Sequence, residues 1–170
     1  TTRRQRQMCI RDRFLPFENF LKKIGLKKIT RGYQSFSADD KREILEINQL
    51  KFIPLICYEI IYSGKINPNK NYYDFILNIS EDGWFGKTIG PEQHLNHSIF
   101  RSIEEGKNVI RSTNNGISAF VNPKGQIIKQ ISEKGYFDVN EIKRVNKTHF
   151  AKHGNKIFFY FVLIYTTFIV

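Results

Sequence analysis

The sequence predicts an α/β protein, and three observations carry that prediction. Residues 52–56 and 73–79 are short apolar runs of the length of buried strands. Residues 94–108 place apolar side chains at helical spacing between strand-like runs. Residues 118–122 and 126–130 are strand-like segments joined by Pro123-Lys124-Gly125, a hairpin signal. Strands alternating with a helix and closing in hairpins point to layered α/β architecture rather than a sandwich.

The chain has 170 residues, 41% apolar and 14% aromatic, enough for one domain with a core. The charged fraction of 25% is ordinary for a chain that folds in water. The net charge of +11 favours phosphate groups, on nucleic acid or on lipid headgroups, and equally fits lysines that are merely solvated. The two cysteines, Cys9 and Cys57, form no Cys-x-x-Cys pair and no Cys/His ligand spacing, so no zinc site is expected.

Residues 1–13 show no apolar period, cap or turn logic. Met8-Cys9-Ile10-Arg11-Asp12-Arg13 reads like a translated sequencing-library adapter. The segment is therefore expected to be non-native, Cys9 with it, which argues against a Cys9–Cys57 disulfide. A natural basic arm is the alternative. Residues 14–26 place Phe14, Leu15, Phe17, Phe20, Leu21 and Ile24 on one face of a helix, with Pro16 in its first turn. Residues 31–40 read as turns, and residues 44–49 and 52–56 as two strands. The run 73–79 ends in a Ser80-Glu81-Asp82-Gly83 loop. In the helix 94–108, Ile99, Ile103 and Leu95 are expected to face inward. Strands follow at 109–112 and 118–122, around a Thr113-Asn114-Asn115-Gly116 turn. No internal repeat is present.

Residues 157–170 carry no charge and are mostly Phe, Ile, Val, Leu and Tyr. Fourteen residues fall short of the ~20 that span a bilayer. The run is expected to be the start of a transmembrane helix; a buried terminal strand or helix is the alternative. Lys147, Lys152, His153 and Lys156 flank it. The positive-inside rule has little force with one flank alone.

Cys57 stands where an apolar run meets a polar one, the end of a buried strand. A nucleophile there is held rigidly at the lip of a groove, but cysteine often simply packs. Glu59 shares its face in an extended chain and suits a base or a polar anchor. His94 and His97 stand at i and i+3 on one helix, a polar face rather than a metal pair without a third ligand. Trp84 and Phe85 suit either an apolar channel or a core.

Four blocks follow one another in order: Pro54-Leu55-Ile56-Cys57-Tyr58-Glu59-Ile60-Ile61; Asn78-Ile79-Ser80-Glu81-Asp82-Gly83-Trp84-Phe85-Gly86; Gly90-Pro91 with Gln93-His94; and Arg111-Ser112-Thr113-Asn114-Asn115-Gly116-Ile117-Ser118. Together they resemble the bacterial apolipoprotein N-acyltransferases, a membrane branch of the carbon-nitrogen hydrolase (nitrilase) superfamily. The resemblance runs from about Phe14 to the end. Glu81 departs from it, since the family usually carries Asn there, and local hydrogen bonding is the thing in doubt.

The resemblance implies a partial nitrilase-like α-β-β-α sandwich, with residues 14–150 its C-terminal part and residues 157–170 a truncated transmembrane helix. It implies Cys57 as nucleophile, the Tyr58 backbone N–H as oxyanion donor and Glu59 as a supporting residue. It places Trp84 and Phe85 near the substrate. It implies no cofactor, a phospholipid acyl donor (most simply phosphatidylethanolamine), a diacylated prolipoprotein acceptor, no nucleic-acid partner and a monomer. It implies the bacterial inner membrane, with the catalytic domain facing the periplasm. The family also uses a Glu base and a Lys upstream of Cys57. Phe14-Leu15-Pro16-Phe17 can be laid on the segment after that Lys in two registers, and neither supplies the Lys. Arg11, in one register, is a poor substitute, because a planar guanidinium is not a compact ammonium. The chain is therefore expected to be an incomplete, inactive piece of an acyltransferase. The rival readings are a soluble nitrilase-type amidase and, more remotely, a basic nucleic-acid-binding module.

Overall fold

The computed structural model describes residues 42–169, apart from 68, 69, 133 and 140. The expected helix over residues 14–26 and the segment 1–13, expected to be non-native, lie outside the described residues. Among the described residues six strands form one mixed sheet in chain order: β1 (Leu45–Ile47), β2 (Leu50–Ile56), β3 (Phe75–Glu81), β4 (Asn108–Asn114), β5 (Ser118–Val121) and β6 (Ile127–Ile131). β2, β3 and β4 run parallel; β1, β5 and β6 add antiparallel strands at the edges. The expected strands are all present, shifted by one or two residues.

β1 and β2 form a tight hairpin. Asn48 and Gln49 both take positive φ, 47° and 66°, the two-residue turn whose twist matches antiparallel strands. The long connection from β3 to β4 is helix α1 (Gly90–Glu105). It starts four residues before the expected His94 (94 − 90), because Pro91 fits the first turn, where its missing N–H costs nothing. It ends at Gly106, whose φ of +63° suits the left-handed cap.

Parallel pairing sets two rungs on the face covered by α1. Ile53, Ile76 and Val109 form the first, Leu55, Asn78 and Arg111 the second, and Cys57 and Ser80 continue the direction. The face thus grades from purely apolar to polar toward the C-terminal ends of the strands. Ile53, Ile76 and Val109 pack with Ile60, Ile66, Leu95 and Val121 into one cluster.

The inner face of α1 differs from the expectation. Leu95 is buried and Ile99 packs against the core, but Ile103 is 47% exposed. The other buried positions are polar: His94, Ser98, Arg101, Ser102 and Glu105. Apolar periodicity reports the inner face only when the inside is apolar, and here much of it is a hydrogen-bonded network.

Beyond β6, a short helix α2 (His149–His153) leads into α3 (Lys156–Ile169). Thr148 caps α2, its hydroxyl accepting the Ala151 N–H at 3.0 Å. The side chains of α3 from Phe158 to Leu163 are exposed although apolar. Among the described residues no helix is long and apolar enough to cross a membrane.

Candidate active site

β2 stops because the chain turns sharply at Cys57. Its φ is +52°, left-handed for a residue with a Cβ, at a cost of roughly 1–2 kcal/mol. A 3₁₀ turn, Cys57–Ile61, starts there. The surroundings over-determine this conformation. The Asn78 amide donates to the carbonyls of Leu55 at 3.1 Å and Cys57 at 3.2 Å. The Glu59 carboxylate accepts the Ile56 N–H at 3.0 Å, the reach-back of a capping glutamate. Glu59 also pairs with Arg42 at 3.6 Å. A strained, thiol-bearing position at a strand end is thus fixed from both sides.

Behind the thiol lies a buried polar chain. Ser80 Oγ sits 3.6 Å from Cys57 Sγ and donates to Asp82 Oδ1 at 2.8 Å. Asp82 Oδ1 also accepts from His94 Nδ1 at 2.9 Å, and its Oδ2 accepts from Arg111 at 2.6 Å. Arg111, 0% exposed, donates further to the Asn78 side-chain oxygen and to the Ile117 carbonyl. The chain closes on itself, since Asn78 holds the Cys57 carbonyl. Burial by itself would raise the Asp82 pKa, but the His94 bond, the Arg111 charge and the Ser80 bond together hold it below the usual carboxylate range. Asp82 is therefore a fixed anion that positions its neighbours and a poor proton acceptor.

Glycines make room for this chain. The left-handed residue of the 115–116 turn is Asn115, at φ 55°. Gly116 serves packing: a Cβ there would lie 2.5 Å from the Asp82 side chain. The 3₁₀ turn Gly83–Phe85 continues from Asp82. Phe85 meets the His94 ring edge-on at 5.7 Å, and Tyr58 lies tilted against the same ring at 5.5 Å. Glu81, the departure from the family pattern, accepts the Gly83 N–H at 2.8 Å and the Asn114 amide at 2.6 Å. It fastens the turn to the end of β4.

The residues expected at the site are therefore placed as follows. Cys57 is partly buried, with a free thiol. The Tyr58 side chain is 50% exposed, and its N–H belongs to the first turn of the 3₁₀ segment, where amides lack an acceptor within the helix. Glu59 serves the backbone turn and Arg42. Phe85 is drawn into the site through His94, while Trp84 is 79% exposed. Four participants were missed as site residues: Ser80, Asp82, His94 and Arg111. His94 is corrected from a polar helix face to a buried partner of Asp82, and Arg111, expected only as a strand residue, stands at the centre of the network. The available signal was polar spacing on α1, with 94, 98, 101, 102 and 105 sharing one helical stripe. Among the described residues no group of carboxylate, His or Cys side chains could hold a metal ion.

A family model described as "Carbon-nitrogen hydrolase" matches residues 2–137. An "Apolipoprotein N-acyltransferase" of Rhizobium rhizogenes is 40% identical over 128 residues, covering 74% of this chain and 24% of that protein. The same-named protein of Agrobacterium fabrum is 43% identical over 68% of this chain and 22% of its own length. That of Caulobacter vibrioides is 36% identical over 89% and 29%. The chain thus spans about a quarter of the length of these relatives. A solved CN-hydrolase superfamily protein from Xanthomonas campestris is similar at 16% identity with a TM-score of 0.45, over 76% of this chain and 52% of that one. With a family match across residues 2–137, the chain that carries Cys57 on this strand end belongs to the carbon-nitrogen hydrolase family.

Proposed function

We propose that Cys57 is the acyl-accepting nucleophile of a phospholipid-to-lipoprotein N-acyltransferase. The observation that carries the reading is the Cys57 turn: a left-handed thiol-bearing residue at the end of β2, held by Asn78 and Glu59 and backed by the Ser80–Asp82–Arg111 chain. Strain at a nucleophile is retained where it places the reacting atom. The similarity to proteins named apolipoprotein N-acyltransferase supports the substrate class.

The thiolate attacks the ester carbonyl of a phospholipid such as phosphatidylethanolamine. The carbonyl oxygen becomes an oxyanion, which the Tyr58 N–H stabilises; one such donor is typically worth ~3 kcal/mol. Collapse expels the lysophospholipid and leaves a thioester on Cys57. The terminal amine of a diacylglyceryl-cysteine then attacks the thioester and takes the acyl chain, restoring the thiol. Trp84, exposed beside Phe85, offers apolar surface to the chain in transit. Glu59 supports the turn. The Glu base and Lys of the family have no counterpart here by motif, so the chain taken alone is proposed to be inactive. Helix α3 is proposed to begin a membrane span, and the protein is proposed to sit in the bacterial inner membrane with this domain on the periplasmic side. Its exposed aromatic and aliphatic side chains support that reading.

The test joins the chain to the reading frame upstream of it and assays transfer to a diacylated lipopeptide. Cys57→Ser and Cys57→Ala are expected to abolish N-acylation. N-acylation that survives Cys57→Ser sinks the proposal.

A further inference from the structure

The N-terminal ends of β3 and β4, opposite to Cys57, border a cavity of about 110 Å³. Lys70, Lys107, Lys147 and Lys152 line it, with Glu105 as the single acidic side chain among its described lining. Lys107 is 4% exposed and lies near Glu105, whose charge it offsets. Three exposed ammonium-bearing residues, Lys70, Lys147 and Lys152, then remain around one small opening. Two main-chain ties gather them: Lys70 Nζ donates to the Lys152 carbonyl and Lys147 Nζ to the Lys70 carbonyl, each at 3.0 Å. An ammonium has three donors, so each keeps others for a ligand. A second cavity, about 260 Å³, shares Lys70, Glu105 and Lys152 and adds His153, Lys156 and Tyr160 from the start of α3. The basic cavity thus opens where the exposed apolar helix departs. In a bilayer, that junction lies at headgroup depth.

We propose that this cavity seats the phosphate of an anionic lipid headgroup, an anchoring site distinct from the acyl-donor site at Cys57. The proposal rests on the reading of α3 as a membrane segment. Nothing is transferred here; the phosphate supplies counter-charge to lysines that outnumber the one acidic side chain among the described lining.

The experiment floats the full chain with vesicles of phosphatidylcholine, alone or mixed with phosphatidylglycerol. K70Q/K147Q/K152Q is compared with K51Q/K124Q/K134Q, which removes the same charge from exposed positions elsewhere. The cavity variant is expected to lose about tenfold more affinity for the anionic vesicles than the control variant. Lys152→Gln alone keeps both main-chain ties and serves if the triple variant misfolds; it should lose about threefold. Equal losses in the two triple variants overturn the site and leave only diffuse attraction by net charge. Inorganic phosphate that binds the same lysines without any preference for anionic vesicles overturns the lipid source. Neutral vesicles read α3 separately: failure to float with phosphatidylcholine defeats the membrane reading itself. Acyl transfer to a diacylated lipopeptide is assayed separately from flotation, so a failed acyl transfer and a failed headgroup site are told apart.

Discussion

The two ends of the parallel strands β2, β3 and β4 both bury charge, and they satisfy it differently. At the C-terminal end Asp82 accepts from three side chains, and Arg111 forks between Asp82 and Asn78 before reaching the Ile117 carbonyl. At the N-terminal end Glu105 accepts from Tyr73 at 2.7 Å, while the Lys107 ammonium lies over the rings of Tyr72 and Tyr73 at 5.3 and 5.5 Å. The first end is a network of direct side-chain hydrogen bonds. The second fastens Asp74 as tightly, to the Lys51 N–H, Tyr72 and Arg144, but leaves Lys70, Lys147 and Lys152 facing a cavity. The difference lies in the surplus of cations: the bonded network stands behind Cys57, and the surplus lysines face solvent and, as proposed, lipid.

The comparison breaks most readily at its two cations. Arg111→Ala leaves Asp82 buried without its guanidinium and should cost about 3–5 kcal/mol. Lys107→Ala should cost only about 1–2 kcal/mol, since cation–ring contacts are worth less and Glu105 can take up a proton. Urea denaturation of both variants in one buffer measures the difference. Equal losses would remove the distinction between the ends.

The pH dependence should run in opposite directions. The Asp82 pKa is held below its ordinary value of 3.8, so its contribution is present above that value and fades as pH falls through the folded-state pKa. The Glu105 pKa is raised above 4.5, chiefly by burial, so its contribution is full below 4.5 and fades as pH rises through the folded-state pKa. Asp82→Asn is therefore expected to destabilise at neutral pH, with the gap narrowing in strong acid. Glu105→Gln is expected to stabilise at neutral pH, with the gain vanishing below 4.5. Thermal melts of both variants across pH check the signs. Parallel curves would contradict the contrast.

A smaller effect sharpens the account of the turn. At most positions Ala is more stable than Gly, but φ of +52° at Cys57 reverses the order. Cys57→Gly should exceed Cys57→Ala by about 1 kcal/mol, with neither variant able to form a thioester. The usual Ala advantage at this site would show that the turn is not strained in solution.

Much of this was legible in the sequence, and the failures share a cause. The apolar runs located β2 and β3, and the ordered blocks located Cys57. Periodicity put Ile103 inward because it counts apolar residues, while the inside of α1 is largely polar. Ser80 and Asp82 stood inside a quoted block, yet single-chain reading gave no reason to separate them from a loop. Their role depends on register: the parallel pairing of Leu55, Asn78 and Arg111 sets three strands' side chains on one face, and local sequence does not encode that pairing. Gly116 was read as a turn residue, and its contact with Asp82, which lies 34 positions earlier in the chain (116 − 82), could not be seen there.

The central claim is that the strand end at Cys57 is the chemical end. The chain with its upstream reading frame, incubated with phosphatidylethanolamine and read by intact mass and peptide mapping, tests it most directly. The account predicts one acyl chain on Cys57, removed by neutral hydroxylamine as a thioester is and absent from Cys57→Ala. An acyl adduct on another residue that persists in Cys57→Ala would contradict it.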